Sequence, residues 1–380
     1  MTNIFRSLVR RRIRNTAKFA AVSILALAIF TDYANGASKA SLPAQYTVTT
    51  LGVLNNPGSS AVLRRVNSAG EAVGGYQSNK AKQNSAAFIV SLANGFDDIT
   101  DQQITDFSTL YGINDQGEVA GAINGPSSIL PFRAVKHTGF QLLPLLDQDT
   151  SGAAYGINDK GEATGFSGGP GGSRAAWWTR QGSATALPSL PGYKTTKALD
   201  INHAGDIVGY AGEDIKVAVL WPSKGGPTQL GTLANYTSSQ AESVSDKEDI
   251  VGSATAFDTN VVRMRAILWP AGSSTPQDLG VLAGGVASRA RDIDTNQVVV
   301  GTSDSTIGNR AFIWTSSSGM LDLNTLNADL SIILVDAFSI SKQGAILAIG
   351  ISKSDLPSGS SQDVEEHELP RHVVLLTPAK

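Results

Sequence analysis

The sequence predicts an all-β protein, a seven-bladed β-propeller built from four-stranded repeats of about 46 residues. Three observations predict this fold: one nine-residue phrase recurs seven times, each copy holds a turn between short apolar runs, and the two chain ends carry complementary parts of one repeat. The chain has 380 residues, of which 41% are hydrophobic, so it is long enough to form one large β body.

Residues 1–36 have the pattern of a secretory signal peptide. Six basic residues precede the apolar run Phe19 to Phe30, and small residues surround Ala37, before which we expect cleavage. A membrane anchor is the alternative, but this run extends only about 18 Å as a helix, whereas the hydrocarbon core of a bilayer is about 30 Å thick. A twin-arginine signal at Arg10 to Ile13 is a second form that the export signal can take.

Export has consequences for the rest of the chain. We expect a bacterial protein that is secreted or periplasmic, with residues 37–45 as a linker, residues 46–380 as the repeat body and no transmembrane segment in the mature chain. The chain contains no cysteine, which excludes disulfides, thiolate metal sites and a cysteine nucleophile. Outside residues 1–36 the chain has 24 basic and 32 acidic residues, a balance that does not favour nucleic acid as a partner.

The recurring phrase defines the repeats. It starts with an apolar residue, continues through a turn rich in Asn, Asp and Gly, and ends eight positions later on a residue that is glycine in six copies and Ala348 in the seventh. The clearest copy reads Ile-Asn-Asp-Gln-Gly-Glu-Val-Ala-Gly and begins at Ile113. The seven copies are separated by 43 to 49 residues and begin at Val66, Ile113, Ile157, Ile201, Val244, Ile293 and Ile340.

The phrase and its surroundings predict β-strands. Asn-Asp-x-Gly supplies an Asx turn and a glycine that can adopt positive φ, which is typical of a hairpin connection. Short β-branched and aromatic runs follow at intervals of about 8 to 12 residues, and no long segment has helical periodicity. Four strands cannot bury both faces of a sheet alone, so the repeats must stack on each other. A ring of seven is a propeller; the alternative, an open β-solenoid, requires polar caps that the sequence lacks.

The two chain ends predict how the ring closes. Tyr46 to Leu54 precedes the first repeat and looks like the last strand of a repeat, whereas the chain ends at Arg371 to Pro378, which looks like a third strand. We therefore predict that the N-terminal strand completes the seventh blade. This pairing would remove two exposed sheet edges.

The phrases resemble those of the HAF-repeat family of extracellular repeat proteins. Residues 279–315 match best, through Leu279 to Gly285, Ile293 to Gly301 and Arg310 to Trp314, and the similarity covers residues 46–378. The resemblance implies an exported repeat protein without an assigned biochemical role. It brings no catalytic residues with it.

Function is expected where the repeats disagree, because agreement between repeats reflects the shared fold. One variable position lies two residues before each leading apolar residue, in the predicted innermost strand, and is occupied by Arg64, Tyr111, Tyr155, Leu199, Glu242, Arg291 and Phe338. From these we predict a binding site at the channel mouth formed by Arg64, Tyr111, Tyr155, Glu242 and Arg291. The alternative is packing between blades with incidental ion pairs.

A second candidate is an insertion in the last repeat, Lys353 to Pro370, which contains an acidic cluster at residues 363–368. Such a loop can contact a partner or cover one face of the ring. The alternative is a solvated segment without a partner.

Two motifs that suggest chemistry are better explained by the repeat. Gly165-Phe166-Ser167-Gly168-Gly169 matches the nucleophile-elbow pattern, but Gly165 is the repeat glycine, so we expect Ser167 within a strand and not on a strand-to-helix turn. The glycines at 168, 169, 171 and 172 are interpreted as a flexible loop, because a phosphate-binding loop would need a following helix.

Metal and sugar sites are also disfavoured. His203 takes the turn position that Asp115 and Asp159 hold in sibling repeats, and each turn offers too few oxygens for calcium, so we predict no metal site and no cofactor. Tryptophans recur at one strand position and are expected in the core instead of on a sugar-binding surface; they are Trp178, Trp221, Trp269 and Trp314.

The sequence thus predicts an exported, non-catalytic binding module at the cell envelope or outside the cell, with a protein or a glycan as partner. One alternative is a propeller-fold hydrolase or lyase acting on an extracellular polymer, a reading that depends on analogy between folds. An enzyme would need at least two convergent titratable groups, for which Glu242 and the cluster at residues 365–368 are the candidates. The other alternative is a structural component of a surface matrix.

Overall fold

The computed structural model describes residues 41–54, 60–77, 86–98, 108–125, 127–135, 139–257, 262–327, 329, 331–356 and 369–379. The predicted signal peptide, and residues 357–368 of the acidic insertion, lie outside the described residues. The regular structure of the described chain consists of β-strands and two 3-10 helices, Leu323–Leu326 and Lys353–Asp355. Within these ranges no helix has the length and apolar character required to cross a bilayer.

Seven four-stranded antiparallel sheets form the blades of a ring, which confirms the predicted seven-bladed propeller. Strand β1 (Tyr46–Leu54) belongs to blade 7. From the innermost strand outward, blade 1 contains β2 (Ser60–Val66), β3 (Ala72–Gln77), β4 (Ala86–Ser91) and β5 (Gly95–Asp98). Blade 2 contains β6 (Ser108–Ile113), β7 (Glu118–Asn124), β8 (Ile129–Val135) and β9 (Gly139–Leu142). Blade 3 contains β10 (Ser151–Ile157), β11 (Ala163–Gly169), β12 (Gly172–Trp178) and β13 (Ala184–Ala186).

The remaining blades have the same order. Blade 4 contains β14 (Thr196–Ile201), β15 (Ile207–Ala211), β16 (Val217–Trp221) and β17 (Thr228–Gln229). Blade 5 contains β18 (Ser238–Val244), β19 (Ile250–Phe257), β20 (Val262–Trp269) and β21 (Gln277–Asp278). Blade 6 contains β22 (Ser288–Ile293), β23 (Val299–Ser303), β24 (Arg310–Thr315) and β25 (Gly319–Asp322). Blade 7 contains β26 (Ile332–Ile340), β27 (Ile346–Ser352), β28 (Arg371–Pro378) and, outermost, β1.

The N-terminal strand closes the ring, as predicted. Strand β1 pairs antiparallel with β28 along its whole length, from Tyr46 opposite Pro378 to Leu54 opposite Arg371. Leu51 of β1 packs in one buried cluster with Leu63 of blade 1 and Val373 of blade 7. The first and last blades therefore share a continuous hydrophobic core, which is what a closed ring requires.

The recurring tryptophans lie in the separate buried clusters of blades 3 to 6, as expected from their strand position. Trp178 and Trp269 are fully buried, and Trp221 and Trp314 are buried as well. A buried indole needs an acceptor for its N–H. The Nε1 atom of Trp178 donates to the carbonyl oxygen of Pro144, and Trp269 donates to that of Gly231. Each carbonyl lies in the connection that leads into the tryptophan's own blade, so the tryptophans also hold the connections between blades in place.

The turn asparagine joins each of the first four blades to its neighbour. In blade 3 the Oδ1 atom of Asn158 accepts hydrogen bonds from the backbone N–H groups of Lys160 and Glu162, and its Nδ2 atom donates to the Glu162 carboxylate. The same Nδ2 atom donates to the carbonyl oxygen of Asn202 in blade 4 at 3.1 Å. Asn67, Asn114 and Asn202 make the equivalent bonds to the blades that follow them.

One sequence interpretation was wrong. Gly168 and Gly169 end β11, and Gly172 begins β12, so these glycines do not form a flexible loop. Gly169 pairs with Gly172, and only Pro170 and Gly171 connect the two strands. A two-residue connection of this kind is a tight β-hairpin. The absence of side chains had suggested flexibility, whereas the pairing of the flanking strands determines the structure.

The closure of the ring generates the first prediction. A chain that begins at Asn55 lacks β1, exposes the edge of β28 and loses the buried side chains of Tyr46 and Leu51. Each large buried side chain contributes about 2 to 5 kcal/mol, so the melting temperature should fall by on the order of 10 °C. The control is a chain that begins at Leu42. Differential scanning calorimetry showing equal melting temperatures for the two chains would contradict closure by β1.

The turn asparagines generate the second prediction. Asn158→Ala leaves the backbone N–H groups of Lys160 and Glu162 and the Asn202 carbonyl without their side-chain partner, which should cost about 2 to 3 kcal/mol. Chemical denaturation measures this loss. Lys160→Ala, which removes an exposed side chain from the same turn, is the matched control and should have little effect. Equal effects of the two substitutions would show that the amide does not link the blades.

Candidate functional site

Every innermost strand contains a β-bulge at the same place. In blade 1 the pairing shifts between Leu63 and Arg65, and in blade 5 it shifts between Ala241 and Ser243. The residue that is skipped in each blade is the variable residue picked out from the repeats: Arg64, Tyr111, Tyr155, Leu199, Glu242, Arg291 and Phe338. A bulge leaves one residue without a ladder partner and redirects its side chain.

The seven bulged residues line one cavity. This bulge cavity has a volume of about 240 Å³, measured as the space open to the centres of water molecules. It opens on the face of the ring where the innermost strands begin, which we call the cavity face. Further residues that line it are Leu63, Arg65, Lys197, Tyr210, Gln240 and Arg289. The structure therefore brings together all five predicted site residues.

Several cations at the bulge cavity lie over aromatic rings. The guanidinium carbon of Arg64 lies 5.0 Å from the centre of the Tyr111 ring, and Tyr111 meets Tyr155 edge to face at 4.9 Å. The Nζ atom of Lys197 lies 4.4 Å from the centre of the Phe166 ring, and Arg291 lies 4.7 Å from that of Phe338. Contacts of this kind favour a cation over an aromatic face and hold it in one position.

The charges in the cavity are only partly balanced. Glu242 forms an ion pair with Arg289 and accepts a hydrogen bond of 2.8 Å from Gln240. Asp336 binds Arg291 through both of its carboxylate oxygens, at 3.1 and 2.6 Å. Within the part of the chain that the structure describes, Arg64 and Lys197 have no carboxylate partner.

Desolvation acts on these same groups. The surrounding protein lowers the pKa of Arg64 by burial, and the nearby charge of Arg291 lowers it further, although Tyr111 and Glu242 act in the opposite direction. Burial also lowers the pKa of Lys197. The phenol of Tyr155 has a raised pKa because of burial and the neighbouring Tyr111, so it is a neutral hydrogen-bonding group at physiological pH. The cavity thus lowers the pKa values of an exposed arginine and a half-buried lysine.

Arg65 forms the floor of the bulge cavity. Its Nη2 atom lies 2.8 Å from an Asp200 oxygen, and its Nη1 atom contacts Asp292. The Oγ atom of Ser243 lies 2.9 Å from an Asp200 oxygen and 2.6 Å from an Asp292 oxygen, and its single proton can be donated to either carboxylate. Arg65 also lines the pocket on the opposite side of the ring, so this ion cluster separates the two ends of the channel.

The charges of this cluster stabilise each other. Burial alone lowers the pKa of Arg65, but Asp200 and Asp292 outweigh it and raise the pKa. The pKa of Asp200 is raised because burial opposes its charge more strongly than Arg65 favours it. Blades 2 and 3 carry glycine at the equivalent strand position, and a Cβ at Gly112 would come within 3.1 Å of the Tyr155 carbonyl oxygen. Small residues are therefore required there.

The opposite end of the channel lies on the turn face, the side of the ring that carries the turns after the innermost strands. Lys342 lies at this end. Its Nζ atom lies 2.6 Å from Asp159, 3.4 Å from Asp246 and 3.7 Å from Asp115. All three aspartates also accept backbone hydrogen bonds from the preceding blade, Asp115 from Ser68, Asp159 from Asp115 and Asp246 from His203. Among the described residues no group of three His, Cys, Asp or Glu side chains is arranged to hold a metal ion. At this face the recurring aspartates bind Lys342 and the backbone of the neighbouring turns.

The serine of the nucleophile-elbow pattern also has a structural role. Ser167 lies within β11 and is fully buried, as the repeat predicted. Its Oγ atom accepts a hydrogen bond of 2.9 Å from the backbone N–H of Leu146. It therefore lacks the exposed position on a strand-to-helix turn that the nucleophile-elbow pattern describes.

Sequence reasoning missed part of the cavity. Lys197 and Arg289 lie two positions before the bulged residues of their strands, on the same side of the sheet. The period of two in a strand was sufficient to find them. Arg65 was missed as well, because its partners Asp200 and Asp292 are far away in the sequence. The signal that could have found it is that the position after each bulge also varies between repeats.

No protein-family model matches the chain, and no curated protein matches it. Solved structures do resemble it. A streptogramin B lyase matches with a TM-score of 0.50 at 11% identity, over 89% of this chain and 100% of that one. The β-propeller domain of the Trilobed protease from Pyrococcus furiosus matches with a TM-score of 0.50 at 9% identity, over 83% and 92%.

TolB from Acinetobacter baumannii also matches, with a TM-score of 0.47 at 10% identity, over 66% of this chain and 63% of TolB. This chain therefore aligns with less than two thirds of the length of TolB. Identities this low show the propeller fold alone.

The floor of the cavity generates the third prediction. Arg65→Met leaves Asp200 and Asp292 buried without their cation, which should destabilise the protein by about 3 to 5 kcal/mol at pH 8. The pKa of Asp200, already raised in the folded state, should rise further, so the folded variant binds a proton more readily than the unfolded chain. Its stability should therefore recover in part as the pH falls from 8 to 5.5.

Urea denaturation at the two pH values measures both effects. The matched control combines Arg65→Met with Asp200→Asn and Asp292→Asn, which removes the whole ion cluster and should restore most of the stability at pH 8. An Arg65→Met variant as stable as the unsubstituted protein at pH 8 would rule out this role of the ion cluster.

Proposed function

We propose that this protein is an exported, non-catalytic binding module that holds a segment of a partner protein in the bulge cavity. The observation that carries the proposal is the convergence of seven bulged residues, one from each blade, on a single cavity. The blades agree at the positions that define the fold and differ at this one. A concave site with aromatic walls and a few placed charges is the usual form of a binding site.

Exposed apolar side chains support a protein as the partner. Ile215, Phe257, Val262, Val286 and Ile307 are each more than half exposed. Four of them lie in or beside the loops between the second and third strands of blades 4, 5 and 6, and Val286 lies just before the first strand of blade 6. Both kinds of loop lie on the cavity face, because the innermost strands begin there and the second strands return to it from the turn. Exposed apolar side chains near a concave site favour contact with protein over contact with a hydrated glycan.

The state of Glu242 favours binding over catalysis. Glu242 is the carboxylate among the described residues that line the bulge cavity, and its Oε1 atom is held by Arg289 and Gln240. A hydrolase or lyase would need a second titratable group that acts together with it. The other candidates for that role, the acidic residues 365–368, lie outside the described residues.

Export and family membership complete the proposal. The basic n-region and the short apolar run of residues 1–36 support secretion or a periplasmic location. The seven copies of the repeated phrase support membership of the HAF-repeat family. A binding propeller outside the cytoplasm is consistent with both.

A thermal-shift screen tests the proposed function. The purified protein is screened against peptide pools, surface polysaccharides, short glycans and calcium with a chelator control. A ligand at about 100 times its Kd stabilises the folded state by about 2.7 kcal/mol, which is visible as a rise in melting temperature. We expect a rise with peptides. Tyr155→Ala should abolish it, because this removes one wall of the cavity, whereas Lys342→Ala, on the turn face, should leave it intact.

The other results contradict the proposal in distinct ways. A rise with polysaccharides or glycans alone identifies a glycan-binding module. A flat panel favours a role in a surface matrix. A rise that Tyr155→Ala does not change places the ligand outside the bulge cavity, and turnover of a bound polymer would identify an enzyme.

A further inference from the structure

We infer that the bulge cavity binds a carboxylate of the partner polypeptide, such as the one at its C-terminus, together with the apolar or aromatic side chain next to that carboxylate. This inference rests on the proposed function and specifies its ligand. It follows from the charge balance of the cavity, from its donors without partners and from the chemistry of its walls.

The first step is the charge balance. Four cations line the cavity besides the floor residue Arg65, namely Arg64, Lys197, Arg289 and Arg291. Glu242 pairs with Arg289, and Asp336 pairs with Arg291. Two positive charges, those of the exposed Arg64 and the half-buried Lys197, therefore remain without a carboxylate partner among the described residues. A bound anion can pair with them, and arginine is the residue best suited to bind a carboxylate with two parallel hydrogen bonds.

The second step concerns hydrogen-bond donors. The Nε atom of Arg289 is buried and has no hydrogen-bond partner in the part of the chain that the structure describes. A buried donor without an acceptor costs about 1 to 3 kcal/mol. The side chain of Arg289 lines the cavity, so a rotation of its guanidinium group would bring this atom to an acceptor that enters the cavity. A carboxylate offers two oxygens and about four acceptor positions, enough for Arg64 and Arg289 together.

The third step concerns the walls. Tyr111, Tyr155, Tyr210, Leu199 and Phe338 present rings and an aliphatic side chain to the cavity. Such walls bind an apolar or aromatic group. The polar groups of the lining are mainly donors, since Glu242 is already engaged. A sugar acid would need acceptors for its hydroxyl groups as well, so the cavity favours a peptide carboxylate over a uronate.

Isothermal titration calorimetry with the full chain tests the inference. The probes are the tripeptide N-acetyl-Gly-Gly-Phe with a free carboxylate, the same tripeptide as its C-terminal amide, phenylacetate and glucuronate. We expect the free acid to bind and the amide to bind at least tenfold more weakly. Affinity for the acid should fall as NaCl is raised, since the interaction is between charges.

Arg64→Gln is the diagnostic variant. It should weaken binding of the free acid at least tenfold, while the melting temperature without ligand changes little, because Arg64 is exposed and contacts the Tyr111 ring without a carboxylate partner among the described residues. A residue with only a structural role would instead lower the melting temperature. Lys197→Gln provides a second variant with the same expected pattern, and Lys342→Gln on the turn face is the control that should bind normally.

Several results would overturn the inference. The first is equal binding of the acid and the amide. The second is binding of glucuronate or of phenylacetate when the peptide acid does not bind; with phenylacetate this result would indicate a free small molecule as the ligand. The third is binding of the peptide acid that neither Arg64→Gln nor Lys197→Gln changes. If none of the four probes binds, while another ligand found in the thermal-shift screen is lost in Tyr155→Ala, the carboxylate inference is wrong and the proposed function stands. If every ligand still binds to Tyr155→Ala, the proposed function itself fails.

Discussion

The ring depends on hydrogen bonds that cross from each blade to the next at the inner end of the turn. In blades 1 to 4 the turn asparagine supplies this bond, as Asn114 does with the carbonyl oxygen of Asn158 at 2.9 Å. The same asparagine closes its own turn by accepting from two backbone N–H groups. One residue type therefore forms the hairpin and joins the blades, which explains why it recurs while its neighbours vary.

Blades 5 to 7 solve the same problem with different residues. Ser245, Asp294 and Ser341 occupy the turn position and accept backbone hydrogen bonds within their own turns. Contacts to the next blade then come from the innermost strand. Asp292 of blade 6 accepts from the backbone N–H of Ile340 in blade 7, and Ser339 of blade 7 accepts from that of Val66 in blade 1. Arg65 balances the charge of Asp292. The buried ion cluster therefore supports the contact that Asp292 makes between blades 6 and 7, in the repeats that lack the turn asparagine.

The fold could be predicted from the sequence because its determinants are local and repeated. The Asn-Asp-x-Gly turn, the tryptophan position and the strand before the first repeat each act within one repeat or between its neighbours. Arg65 could not be predicted in this way, since its carboxylate partners come from blades 4 and 6 and approach only when the ring closes. The tight hairpin at Pro170 and Gly171 was missed for a related reason: the pairing of β11 with β12 suppresses the flexibility that a run of glycines suggests.

The bulge explains why the candidate site could be located although its ligand could not. A bulged residue makes no ladder hydrogen bond with the neighbouring strand, so the backbone accepts any side chain there without loss of sheet pairing. Tyr155, Leu199 and Glu242 can therefore occupy equivalent positions in blades of the same structure. The fold repeats this permissive position seven times and directs each side chain toward the channel. Variation that would be costly elsewhere in the innermost strands is free here to follow the chemistry of a ligand.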